Sequence, residues 1–274
     1  MSFEHPGAGA LDYFPCRYGL SKTMFRGPRQ RIEGRYAVAL GGIETYGKFI
    51  ATPWPLLVER ATGRQMVNLG CLGAGIDAYL NDPPVMQLAA AAELRVLQVM
   101  GAQGLSNRFY VVHPRRNDRF LRATPALQRL YPEVDFTEFA FVRHMIQGLL
   151  RRDADRFAVV ADELRDAWVW RMKEFLSQLG GPTILLWFAD RAPGVPGVRT
   201  RLSGQSPLMV DAGMLETMRP QVVDIVQVVS PPHIGPAEGM IYHPLDELVA
   251  AELPGPASHE RVAAALVPMM AVAG

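Results

Sequence analysis

The sequence predicts an α/β fold of three layers, with helices on both faces of a five-stranded parallel sheet. Three observations predict it. From residue 36 onward, short apolar runs alternate with segments of helical periodicity. The clearest run, TILLWFA at 183–189, is apolar throughout, as a strand covered on both faces must be. Several runs stop at glycine, which suits the sharp exit of a strand into a loop. Strands separated by helices imply crossover connections and hence parallel pairing.

Residues 1–34 mix Pro, Gly, aromatic and basic residues, among them Tyr13, Cys16, Tyr18, Arg26 and Pro28. Disordered tails are poor in aromatics, so this stretch is expected to be an ordered arm packed on the domain. The domain itself is expected over 35–274, with no linker or repeat to divide it. Its first strand is predicted at 36–40 (YAVAL), ending at Gly41-Gly42. A helix follows over 53–61, with proline near its start, where proline is tolerated. The second strand is predicted at 65–69 (QMVNL), stopped by Gly70, and a second helix over 84–92. The third strand is predicted at 94–100 (LRVLQVM), stopped by Gly101.

Two longer helices follow. The first, over 137–150, brings Phe139, Val142, Met145, Ile146 and Leu149 to one face. The second, over 155–179, repeats apolar residues from Phe157 to Leu179 at helical spacing, with Asp162, Arg165, Asp166 and Lys173 opposite. Gly180-Gly181 ends it. The fourth strand is 183–189, the fifth 222–229, and a last helix covers 258–266. Residues 191–213 read as an excursion or lid.

Bulk composition narrows the function classes. A formal net charge of +1 gives no basis for wholesale nucleic-acid or membrane binding. The 28 basic residues are almost all Arg, with Lys only at 22, 48 and 173. No apolar run approaches the ~20 residues a membrane span needs, and the first residues lack the pattern of a signal peptide. The cytoplasm is the expected location. Cys16 and Cys71 are too few for a disulfide framework or a cysteine zinc site. No cofactor or metal is expected, and a homo-oligomer is compatible with the sequence.

Ligands of open parallel sheets bind beyond the carboxyl ends of the strands, so the loops after the first three strands are where chemistry is expected. They read GGIETYGK (41–48), NLGCLGAGID (68–77) and GAQGLSN (101–107). In order and wording these blocks resemble those of the SGNH/GDSL hydrolases, a superfamily with a flavodoxin-like five-stranded parallel sheet. The family's G-D-S-x-T-x-G is matched by Gly41, Thr45 and Gly47. Its second block is matched by the glycine after strand two, and its G-x-N-D aligns with Gly101 to Gly104. The closing ASHERVAAAL would place His259 as the family's histidine.

The departures decide what the resemblance implies. Ile43 stands where the family has its nucleophilic serine, Gln103 replaces the oxyanion-stabilising asparagine, and Pro256 replaces the aspartate three residues before the histidine. Acyl transfer needs a nucleophile beside an oriented base. The leading expectation is therefore a degenerate SGNH-like domain. It would bind, and modify without a serine nucleophile, a carbohydrate or other polar small molecule. Glu44, Thr45 and His259 are the candidate catalytic residues. Gly42, Asn68, Gly70, Gln103 and Asn107 are the candidate binding residues. Asn68 reads equally as a brace for the first loop, and Asp77 as the cap of a short helix.

The first loop carries a second reading. Gly42-x-x-x-x-Gly47-Lys48 has the spacing of a phosphate-binding loop, with Lys48 supplying charge. Phe49 stands where a magnesium-binding hydroxyl belongs, and Glu44 would repel phosphate. This leaves a metal-free sulfo- or phosphotransferase, with Arg115 and Arg116 of NRFYVVHPRRNDRFLR (107–122) helping to grip an anionic donor. A third reading is a non-catalytic binding protein. His113, His233, His243 and His259 show no metal-ligand spacing, and His144 reads as structural.

Overall fold

The computed structural model describes residues 10–194, 207–230 and 235–272. Five parallel strands form the central sheet. They are β1 (Ala37–Gly41), β2 (Met66–Gly70), β3 (Leu94–Gln98), β6 (Thr183–Ala189) and β7 (Asp224–Val229), in the order β2-β1-β3-β6-β7. Between β3 and β6 the chain inserts a separate antiparallel hairpin, β4 (Tyr110–His113) with β5 (Arg116–Ala123). Leaving the hairpin aside, the order is the flavodoxin-like 2-1-3-4-5, in which consecutive connections leave β1 and β3 in opposite directions.

Helices cover both faces. One face is closed by α2 (Trp54–Thr62) and α10 (Pro256–Val272). There Trp54, Val58, Val262 and Leu266 pack on Ala37, Ala39, Leu94, Val96, Ile184 and Leu186. The other is closed by α3 (Ile76–Leu80), α4 (Pro83–Ala90), α6 (Val142–Arg152) and α7 (Ala154–Leu179). Short helices α1 (Ile43–Tyr46), α5 (Pro125–Leu130), α8 (Ala212–Glu216) and α9 (Glu247–Ala250) complete the set.

Helix α7 forms because Asp153 caps it, accepting the amides of Asp155 and Arg156, and because one face is apolar along its length. Leu164, Trp168, Met172 and Phe175 on that face are fully buried, each contributing about 1.5–3 kcal/mol of transfer free energy. Trp168 Nε1 donates to the Met100 carbonyl at 2.8 Å, fastening α7 to the end of β3. The predicted helix over 137–150 is corrected in outline. A short 3-10 turn at Phe136–Glu138 precedes α6, whose cap is Phe141.

The arm has little regular structure but is held firmly. Cys16 and Phe25 form an antiparallel bridge, and Phe25 is 1% exposed. Asp82 Oδ2 accepts from Ser21 Oγ at 2.6 Å and from Thr23 Oγ1 at 2.9 Å. Arg26 donates to the carbonyls of Tyr46, Gly47 and Ala51. The excursion expected over 191–213 lies largely outside the described residues, as does His233. No described helix is long and apolar enough to cross a membrane.

Candidate functional site

A cavity of about 520 Å³ opens at the carboxyl ends of β1 and β3. Gly42, Ile43 and Glu44 line it from the loop after β1, and Gly73 to Gly75 from the loop after β2. Gln98 to Gly101 and Gln103 contribute from the end of β3. Asn117 and Asp118 of the hairpin, and Arg143, His144 and Gln147 of α6, close the far side. Diverging connections at β1 and β3 leave this crevice unfilled by backbone, which is the reason ligands gather at such switch points.

Gln98 organises the wall. It is 2% exposed, at the last position of β3, and every polar atom it has is used. Its Oε1 accepts from the amides of Gly42 (3.2 Å) and Thr45 (3.1 Å) and from Thr45 Oγ1 (2.5 Å). Its Nε2 donates to Glu44 Oε2 at 2.8 Å. One side chain thus fixes the turn of α1 and aims the Glu44 carboxyl at the cavity. Glu44 is itself buried, and burial raises its pKa above the ordinary carboxylate range, only partly offset by the Gln98 bond.

Asn117, 1% exposed, does the same on the opposite wall. Its Oδ1 accepts the amides of Gly75 and Ala78, both at 2.8 Å, and its Nδ2 donates to the His113 carbonyl at 2.9 Å. The cap expected of Asp77 is therefore supplied by Asn117. Asp77 instead accepts the Ser106 amide and faces Arg171 at 3.4 Å. Asp118 sits against Gly73, where any Cβ would overlap its carboxylate. Two cavity-lining acceptors, Asp118 Oδ1 and Gln103 Oε1, are buried with no hydrogen-bond donor among the described residues.

The structure thus brings Gly42, Glu44 and Gln103 to one cavity and places the other candidates elsewhere. Thr45 is fully buried behind Gln98, its hydroxyl committed. Asn68 braces α1, donating to the Thr45 carbonyl at 2.9 Å while accepting the Gly70 amide. Gly70 is needed for close approach, since a Cβ there would overlap the Tyr46 amide. Asn107 pins a turn through the amides of Phe109 and Tyr110.

His259 requires a correction. It is 1% exposed on the α2–α10 side, and its Nδ1 accepts the Trp54 amide at 3.1 Å while its ring packs edge-on to Phe188. Burial, with Arg26 nearby, pushes its pKa down to about 3. A base so placed serves the entry to α2 and does not line the cavity. The phosphate-loop reading is corrected too. The Gly42 and Thr45 amides are spent on Gln98, those of Tyr46, Gly47 and Lys48 on carbonyls of the same turn, and α1 is a single turn ended by Gly47 at φ 73°. Lys48 lies over the Phe49 ring and 4.0 Å from Asp246, away from the cavity.

Sequence reasoning missed Gln98, Asp118 and His144. A polar residue inside the strand run LRVLQVM was the signal for Gln98. His144, read as structural, stacks edge-on with Phe139 at 5.1 Å and lines the cavity. Arg115 and Arg116 line a different cleft. No group of three His, Cys, Asp or Glu side chains gathers as a metal site among the described residues.

A family model described as a domain of unknown function, DUF6473, matches residues 1–273. The chain belongs to this family. No curated protein matches this chain in sequence. Among solved structures, the chain is similar to phospholipase A1 from Streptomyces albidoflavus NA297, with a TM-score of 0.45 at 10% identity. That match covers 88% of this chain and all of the other. A Lactobacillus plantarum protein from a structural genomics programme gives a TM-score of 0.42 at 11% identity, covering 88% and 99% of the two chains. The salicylyl-acyltransferase SsfX3 of a tetracycline biosynthetic pathway gives 0.34 at 14% identity, covering 91% of this chain and 57% of its own.

Proposed function

We propose that this DUF6473 protein binds a hydroxyl-rich small molecule, of the carbohydrate class, in the switch-point cavity and uses Glu44 as a proton donor to it. The observation that carries the reading is the Glu44–Gln98 pair. It sets a carboxyl whose pKa burial raises in the wall of a cavity otherwise supplied with unpartnered acceptors. A protonated carboxyl donates a hydrogen bond, and Asp118 Oδ1 and Gln103 Oε1 accept them. Hydroxyl groups are the ligand chemistry that satisfies both at once. Leaving those acceptors unmet in the wall costs free energy that a hydroxyl ligand would recover.

None of the described lining residues is Ser, Thr or Cys, and Ile43 occupies the position after Gly42. This favours a route without a hydroxyl or thiol nucleophile. The same fact supports, as a second reading, a binding protein without turnover.

Calorimetric titration with neutral mono- and disaccharides tests the proposal. Asp118→Asn, which replaces an acceptor oxygen with a donor, should weaken binding about tenfold or more, the worth of a hydrogen bond to a charged group. Glu44→Gln should keep binding while abolishing any turnover. If no sugar binds saturably, or if Asp118→Asn binds as well as the native protein, the reading fails. Binding without turnover in the native protein selects the second reading.

A further inference from the structure

A second cleft, of about 450 Å³, lies between the arm and the tip of the β4–β5 hairpin. Lys22 and Thr23 line it from the arm, Cys71 from the loop after β2, and His113, Arg115 and Arg116 from the hairpin. We infer that this cleft is a binding site for a small molecule carrying a phosphate, sulfate or carboxylate group. The inference does not depend on the reading of the switch-point cavity.

Charge is the first argument. Three side chains of fixed positive charge and one histidine converge on the cleft, and none of its described lining residues is acidic. Lys22 and Arg115 make no ion pair among the described residues. Arg116 reaches Asp118 at 3.3 Å through Nη2 alone, which leaves the rest of its fork for another partner. In a chain with only three lysines, one of them stands here.

Rigidity is the second argument. Surface cations on loose loops make poor sites, because ordering them costs entropy on binding. Here both walls are fixed in advance. The arm is pinned beside Lys22 by Ser21 and Thr23, both bonded to the buried Asp82, which also caps α4. The hairpin tip is pinned by His113, whose Nδ1 accepts the amides of Arg115 and Arg116, both at 3.2 Å. That bond makes Nδ1 an acceptor and leaves Nε2–H as the donor of the neutral ring. His113 is in turn held through its carbonyl by Asn117. Cys71 adds no negative charge, since burial pushes its thiol up to about 11.

Titration with inorganic pyrophosphate and with sulfate, against chloride of matched ionic strength near 0.15 M, tests the inference, because screening at that strength suppresses diffuse surface attraction. One saturable site is expected. Lys22→Gln and Arg115→Gln should each weaken it by about fivefold or more, the scale of one charge-assisted hydrogen bond. Arg122→Gln, an exposed hairpin arginine outside the cleft lining, and Glu44→Gln should leave it unchanged. Absence of saturable binding would overturn the inference. So would equal weakening by Arg122→Gln, which would mean general charge attraction, or loss in Glu44→Gln, which would move the anion to the other cavity.

Discussion

Replacing Gln98 with methionine keeps the length and removes every polar atom. The structure sets the expected loss. Gly42 and Thr45 are buried, so their amides would face an apolar thioether instead of Oε1, and the Thr45 hydroxyl would lose its acceptor. Each of the two orphaned amides costs roughly 1–3 kcal/mol, and the hydroxyl can rotate toward another acceptor, so about 2–6 kcal/mol is expected. In a domain of this size that lowers Tm by roughly 4–24 °C. Gln98→Glu is the informative companion. It restores an acceptor for the two amides but sets a second carboxyl against Glu44, and the pair must share a proton. The pair then titrates with one apparent pKa raised well above the unfolded carboxyl value. The stability this shared proton supports is fully present below the unfolded value of about 4.3 and is lost as pH rises through the raised folded value. Calorimetric melting at pH 5 and pH 8 should therefore show Gln98→Glu near the native protein at the lower pH and well below it at the higher. A loss under about 1 kcal/mol for Gln98→Met, or a pH-independent Gln98→Glu, would refute the claim that this residue holds Glu44 and the α1 turn.

His259 and Asn117 give two further expectations. Because the folded pKa of His259 is pushed down to about 3, it is neutral in the native protein and contributes stability above its unfolded value near 6.5. That stability is lost as pH falls from 6.5 toward 3. His259→Ala should cost about 2–4 kcal/mol at pH 7, flatten the acid limb of the stability curve, and leave ligand binding in the cavity intact; a collapse of binding in a folded variant would restore His259 to the site. Asn117→Ala strands two amides and a carbonyl at the junction of both clefts. It should cost about 2–4 kcal/mol in urea unfolding and weaken binding at both sites, whereas loss at one alone would show that the walls are independent.

The sheet was legible because burial on both faces writes itself into sequence. TILLWFA at 183–189 is wholly buried, and the runs at 37–41 and 94–98 likewise. The β4–β5 hairpin was not legible. In β5 the buried positions Asn117, Phe120 and Ala123 fall at spacing three, and the pairing slips at Val111/Val112 and Val112/His113; the alternation in β4 spans only four residues. The site was legible in its loops and illegible in its partners. Gly42–Lys48 has phosphate-loop spacing, but spacing does not reveal that a side chain more than fifty residues away already occupies the amides. Block order made His259 a candidate catalytic residue. What decides its role is the Trp54 amide, a contact across 205 residues.

The strongest reason to regard the switch-point cavity as functional is what the fold spends there. A Gln–Glu pair and a buried Asn occupy positions that apolar residues of similar volume would fill at lower cost in stability, because each buried polar group must be matched bond for bond. Gln98 and Asn117 are matched completely, and they are matched to loop amides, so their role is to hold loops in one shape. Glu44, Asp118 and Gln103 stand at the inner edge of those loops, and the latter two retain unpartnered atoms. Complete satisfaction in the supporting groups beside incomplete satisfaction in the groups they present is the arrangement of a preorganised binding site, in which the missing bonds are those the ligand makes.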